Sequence, residues 1–408
     1  MLNHMTTLAD QSVYIEGGRA ISVHRFLLRA ALALANMFAW LLIFNYSLYF
    51  TRGQVPAALF FTIFWYIVTQ VVTFIALPLT SRYVQSGMQR AIGWATMMLC
   101  VAFLWLAASF LGYFGHSLRG LALGFLGFAV FSGLYRACYF VPYAVSSERL
   151  SGWRPYMSSL FELFLAVLPI AGGILIGSSA RGSVLVLFGA VILLMLSLIP
   201  LAQLPAIYER YDWSYTETMR RFFSRRSRAL AVISILEGIQ GAGLLLVWPL
   251  IAFAIVGWSY PMVGIVISVS LLFAIAFKKL FSFIHTHMHT SPLVVSGIAM
   301  AAWLLRLLAY TPVSVISADA LYHTGTPSRA YNIDTITSEQ SADGSHYLDE
   351  YTALKQMGLA LGRISICVAA GILMFYVSAL AAFAMVLIVA AIAAAISVFL
   401  VQEIEMAH

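Results

Sequence analysis

Long apolar runs separated by short polar breaks fill almost the whole chain. They fall at 25–50, 55–80, 91–114, 118–145, 155–178 and 182–204 and, after a polar stretch, at 229–256, 258–283, 292–310, 350–376 and 378–402. Each approaches or exceeds the roughly 20 residues that an α-helix needs to cross a bilayer. Residues 312–335, TPVSVISADALYHTGTPSRAYNID, have helical length but are too polar to read as a span by hydropathy alone. They can cross only where neighbouring helices or a water-filled cavity shield them from lipid.

Composition supports lipid as the main solvent. Of 408 residues, 62% are hydrophobic and 10% charged, with a mean hydropathy of +0.91. A water-soluble chain of this length could not cover that composition with polar surface. The first apolar run is too long for a signal-peptide core, and residues 1–24 carry Asp10, Glu16 and Arg19. Cys100, Cys138 and Cys367 all lie within apolar runs, so disulfides are not expected.

The net charge of +7 is distributed as a membrane protein distributes it, and does not indicate nucleic acid. Fifteen Lys and Arg residues fall on the amino-terminal side, among them Arg25, Arg29, Arg82, Arg90 and six arginines between 210 and 228. Three (Arg52, Arg119, Arg181) fall in the opposite loops. The positive-inside rule makes the N-terminus and the central loop cytoplasmic. In that loop, AIYERYDWSYTETMRRFFSRRSR (206–228) has the aromatics and arginines of an amphipathic helix lying on anionic lipid. Its plain role is a tether between two bundles, and the alternative is a regulatory or partner site.

Internal matches suggest duplication. RAALALAN (29–36) resembles RALAVIS (228–234), and GGILI (172–176) resembles AGILM (370–374), both at offsets near 198. YRACYFVPY (135–143) compares with YHTGTPSRAY (322–331) at a smaller offset, which makes 312–335 the counterpart of the fourth span. The expected organisation is a segment at 1–24, a six-helix bundle at 25–205, a linker at 206–228, a second bundle at 229–402 and a tail at 403–408. In this organisation the chain resembles the major facilitator superfamily. The resemblance implies an all-α integral membrane fold of twelve helices in two pseudo-symmetric bundles that rock around a midplane site. The family's loop pattern Gly-x-x-x-Asp-Arg-x-Gly-Arg-Arg is incomplete here. LPLTSRYVQSGMQR (77–90) keeps Arg82, Gly87 and Arg90 without the aspartate, and KKLFSFIHTHMH keeps Lys278 and Lys279. Arg82 and Arg90 are gating candidates on that basis.

A side chain ionised at mid-bilayer costs about 2.5–3.5 kcal/mol, so each one needs a partner, a cavity or neutralisation. The resemblance places Arg136, Tyr139, Glu237, Gln240, Asp319 and His323 on cavity-lining helices, as substrate or proton-coupling candidates. Glu237 lies about 13 Å into its helix, followed by Gln240, Gly241, Gly243, Trp248 and Pro249. It is a proton carrier or half of a fixed pair with Arg136. Arg136 among tyrosines can grip an organic anion or a π-system, or simply pack and snorkel. Asp319 and His323 share a helical face, as a proton relay or a hydrated surface. Arg306 is expected to be structural.

Glu162 and Arg363 carry opposite charge at nearly equivalent repeat positions, as an interdomain bridge or as independent structural pairs. Gln356, Arg363 and Cys367 form one stripe facing protein. Asp349 and Glu350 are expected at a wet helix start, with Lys355 snorkelling to headgroups. His285, His287 and His289 read as a solvated loop, not a metal site. No phosphate loop, nucleophile elbow or zinc motif occurs in the sequence.

These features predict a secondary transporter, not an enzyme. It would move a small organic solute by alternating access, coupled to protons or another ion, without cofactor, as a monomer among the lipids of a bacterial-type inner membrane. A lipid or lysolipid flippase and a non-transporting sensor or scaffold are the alternatives. A tag fused after His408 is expected to stay hidden from antibody in intact cells and to react only after permeabilisation.

Overall fold

The computed structural model describes residues 2–115, 117–149, 158–205, 208, 211–288, 292–322 and 348–407. The described residues are all-helical, without strands. The first six helices are α1 (Leu2–Phe50), α2 (Val55–Thr80), α3 (Met88–Phe110), α4 (Leu118–Arg149), α5 (Ser158–Ser178) and α6 (Gly182–Leu201). A short α7 (Tyr215–Phe222) leads to α8 (Arg228–Ala242), α9 (Trp248–Ile255), α10 (Tyr260–Met288) and α11 (Pro292–Leu307). Then come α12 (312–322), α13 (Leu348–Leu373) and α14 (Ala379–Ala407). Ten helical stretches are long and apolar enough to cross a membrane, α8 and α9 together forming one of them. The chain is a multi-pass integral membrane protein. Among the described residues, α11 contributes a shorter apolar helix, Gly297–Leu307, and α12 falls outside the ten.

Helix α1 runs continuously from Leu2 through residue 24 into the first apolar run. Ala20, Ile21 and His24 are buried, and His24 Nδ1 lies 2.9 Å from the Ser197 carbonyl of α6. Packing on α6 thus keeps the helix going below the apolar run.

Helices α1–α6 pack on one another, as do α8, α13 and α14, and the halves meet where α2 faces α13 and α5 faces α10. Small residues make these seams. A Cβ on Gly362 of α13 would stand 2.0 Å from the Ile235 carbonyl of α8, and one on Gly173 of α5 would stand 2.4 Å from the Tyr260 carbonyl of α10. Gly358/Gly362 and Gly173/Gly177 have the four-residue spacing that lets helix backbones approach in lipid, where van der Waals packing replaces the hydrophobic effect. At the end away from the linker, Phe44 stacks on Trp258 and Phe60 meets Phe375 edge-on, ring centroids 5.4 and 5.3 Å apart.

The described part of the linker packs on protein. Ser214 caps α7, accepting from Glu217 N at 3.1 Å, and Arg221 over the Trp213 ring closes the turn. Hydrogen bonding from Arg221 holds the Glu217 carboxyl below its usual range. Tyr211, Trp213 and Phe222 are buried in a cluster with Leu77, Val141 and Leu354, drawn from both halves. The start of α13 lies beneath this cover. Asp349 and Glu350 are 1% and 0% exposed, and Glu350 Oε1 accepts from Asp212 N at 3.0 Å. The wet entry expected there is instead a dry junction. Tertiary burial by the linker overrides the solvated helix start that the charges alone suggest.

Replacing Gly362 with Val should force α8 and α13 apart. We expect a loss of about 1–3 kcal/mol, as for other overpacked interiors, read as a lower unfolding temperature of the purified protein in detergent.

Candidate functional site

Polar side chains from four helices converge near the middle of the bundle, across the seam between the halves. Tyr66 and Gln70, four residues apart on α2, share one face and are both 0% exposed. Arg363 of α13 donates from Nη1 to Gln70 Oε1 at 3.3 Å, a contact from one half to the other. Gly241 of α8 lies on the other side of that guanidinium. A Cβ there would stand 3.2 Å from Arg363 Nε and 3.5 Å from Nη2. Arg136 of α4 and Glu237 of α8 lie within electrostatic reach of Arg363, and Arg136 also reaches Tyr66. Arg136, Glu237 and Arg363 are half-buried. Gln240, one turn from Glu237, is buried, and its Nε2 donates to the Leu236 carbonyl at 3.3 Å. Gln356 and Cys367 continue the Arg363 stripe, half-buried and buried respectively.

A second charged centre lies in the carboxy-terminal half. Arg306 of α11, 1% exposed, donates from Nη2 to Asp319 Oδ1 of α12 at 2.9 Å. Its guanidinium carbon sits 4.3, 4.5 and 5.0 Å from the ring centroids of Trp303, Tyr322 and Trp248. Local helix geometry helps to deliver Trp248. Pro249 has no N–H to donate and crowds the preceding turn, and Gly243–Val247 is π-helical. The consequence of this distortion is the cage around Arg306. Asp319 was expected to share its face with His323, which lies outside the described residues. The partner the structure supplies is Arg306.

The remaining candidates go elsewhere. Tyr139 is buried and stacks on Tyr143, ring centroids 5.4 Å apart, with His24 of α1 at 5.9 Å. Arg25 hydrogen-bonds the Tyr143 hydroxyl and lies over its ring. Glu162 of α5 lies within electrostatic reach of Arg29 of α1, in its own half. Arg363 meets Gln70 and Gly241, so the structure does not bring Glu162 and Arg363 together. Arg82 and Arg90 are exposed at the linker end of α2 and α3. His289 and the side chains of His285 and His287 lie outside the described residues.

Sequence reasoning missed Tyr66 and Gln70 by attending to charge. A glutamine inside YIVTQVVTF was the available signal, since an amide in lipid also demands a partner. Arg306 was read as structural although its need for a carboxylate could be matched to Asp319, thirteen residues on across a short turn.

Neither a protein-family model nor a curated protein matches the sequence. Solved structures do match the fold. A POT family transporter in complex with 5-aminolevulinic acid superposes with a TM-score of 0.61 at 13% identity, covering 95% of this chain and 96% of that one. A bacterial homologue of the iron transporter ferroportin in an outward-facing state gives 0.60 at 14% identity over 95% and 99%. The nucleoside transporter NupG gives 0.53 at 12% identity over 95% and 98%. The likeness is one of fold: the chain folds as these membrane transporters do.

Asp319→Asn leaves a buried guanidinium without its counter-charge. We expect a loss of about 3–5 kcal/mol, seen as a marked drop in unfolding temperature. Replacing Arg306 and Asp319 together with Met and Leu should recover most of it.

Proposed function

We propose that this protein is a secondary transporter that moves a small organic solute by alternating access, with no enzymatic step. The observation that carries the reading is the cluster of Tyr66, Gln70, Arg136, Glu237 and Arg363, which is built from both halves at mid-membrane depth. A purely structural ion pair gains nothing from spanning a seam between two bundles, whereas a solute held there changes its exposure when the halves rock. Twelve spans in two six-helix bundles complete this reading, with α11 and α12 shielded by their neighbours as a polar span requires. Both termini and the arginine-rich linker are cytoplasmic, as the charge bias dictates.

Glu237 is the coupling carboxylate. It lies within electrostatic reach of Arg363, so a solute that competes for that guanidinium acts directly on its carboxylate. Proton entry with the solute follows as a gradient-driven cycle.

One observation favours a second reading, a lipid flippase. Between the far ends of α2 and α13 lies a groove of about 680 Å³ lined mainly by Val55, Pro56, Phe60, Phe61, Met374 and Phe375. Its walls suit an acyl chain. Fluorescent-lipid scrambling, or its absence, in vesicles holding the purified protein separates the two readings.

For the transport reading, proteoliposomes under an imposed pH gradient are incubated with a low-molecular-weight cell extract, and trapped solutes are read by mass spectrometry. We expect gradient-dependent accumulation by the native chain. Glu237→Gln should abolish the accumulation while preserving solute exchange. Equal accumulation with and without the gradient sinks the coupling, and no accumulation by the native chain sinks the transport reading.

A further inference from the structure

We infer that the mid-membrane cluster recognises its solute through a carboxylate or a similar planar oxyanion, so that the substrate class is small organic anions. The inference deepens the transport reading and rests on it for the site where the solute binds.

Its basis is the unused hydrogen-bonding capacity around Arg363. One edge of the guanidinium is occupied, with Nη1 donating to Gln70 Oε1 at 3.3 Å, while Nε has no hydrogen-bond partner. The Nε–Nη2 edge packs against α8 at Gly241, where even a Cβ would stand 3.2 Å from Nε. Two parallel N–H groups on a planar fork match the two oxygens of a carboxylate, which a lysine in the same place would not do.

The neighbouring groups point the same way. Gln70 presents its oxygen to Arg363, so its Nε2, buried and unpartnered, is a second spare donor. The Tyr66 hydroxyl, also fully buried without a partner, is a third. Arg136 adds a second positive charge within electrostatic reach of both Tyr66 and Arg363. Against two guanidiniums stands one described carboxylate, Glu237. A cationic solute would meet net repulsion and donors with nothing to donate to. Buried donors left unmatched are costly, so an acceptor-bearing anion is the complement this site selects.

The test uses purified full-length protein and matched triads that differ only in their polar group: propionate, propionamide and propylamine, then benzoate, benzamide and benzylamine. Thermal unfolding is followed across a concentration series of each. Carboxylates should raise the unfolding temperature of the native chain, and the amides and amines should not. Arg363→Gln and Arg136→Gln should erase the carboxylate response. Arg363→Lys, which keeps the charge and loses the fork, should weaken it about tenfold or more. Gly241→Ala, which crowds the Nε–Nη2 edge, should weaken it with both arginines intact.

If Arg363→Gln does not fold, the lysine and alanine variants decide the question. A response to amines or amides equal to that of the carboxylates overturns the inference. So does a native chain indifferent to every carboxylate, or an Arg363→Lys protein that binds them unchanged. A native chain that binds carboxylates but moves none of them across proteoliposomes upholds the anion site and overturns the transport reading.

Discussion

A guanidinium in the low-dielectric middle of a membrane protein must be compensated, and where its compensation comes from decides what the molecule can do. Arg363 donates its hydrogen bond to Gln70 in the other half, with Glu237, Arg136 and Tyr66 gathered around it. The two halves are therefore joined at mid-depth by a polar contact as well as by apolar packing. A 3.3 Å amide contact is a modest restraint beside the buried Arg306–Asp319 pair, and that difference assigns different roles. The first can exchange partners without unfolding anything. The second, dry and caged by three rings, fixes the carboxy-terminal half as a unit.

The seams around this centre follow the same logic. Helices in lipid gain little from hiding apolar surface, so they come together where small residues allow backbone approach. Gly358 and Gly362 bring α13 against α8 within one half, and Gly173 and Gly177 bring α5 against α10 between halves. Close backbone contact leaves few interlocked side chains. A seam of that kind can slide or open with less disruption than one knitted by large residues. The linker adds a further tie, burying Asp349 and Glu350 beneath Tyr211 and Trp213 where both halves meet.

Much of the fold was legible in the sequence because hydropathy measures a one-dimensional requirement. A helix must be long and apolar enough to satisfy its backbone in lipid, and ten of the expected spans meet that test by composition alone. The distortion at Pro249 was legible for a similarly local reason, the missing N–H. Residues that belong to several segments at once were harder to read. Asp349 and Glu350 looked solvated because nothing nearby in sequence reveals that 211–213 folds over them. Glu162 looked like a partner for Arg363 by repeat offset, yet Arg29 lies closer to it in space. Tyr66 and Gln70 carry no charge and drew no attention, although both are fully buried beside the central arginine.

The sequence by itself determined that this is a multi-pass helical membrane protein, and which ionisable residues fall within its apolar runs. These are properties of composition and spacing. Tertiary structure alone decided the long-range pairings: Arg363 with Gln70, and the carboxylates at the start of α13 with the linker. Burial and proximity create those pairings, and both depend on how separate helices are brought together, which no local pattern encodes.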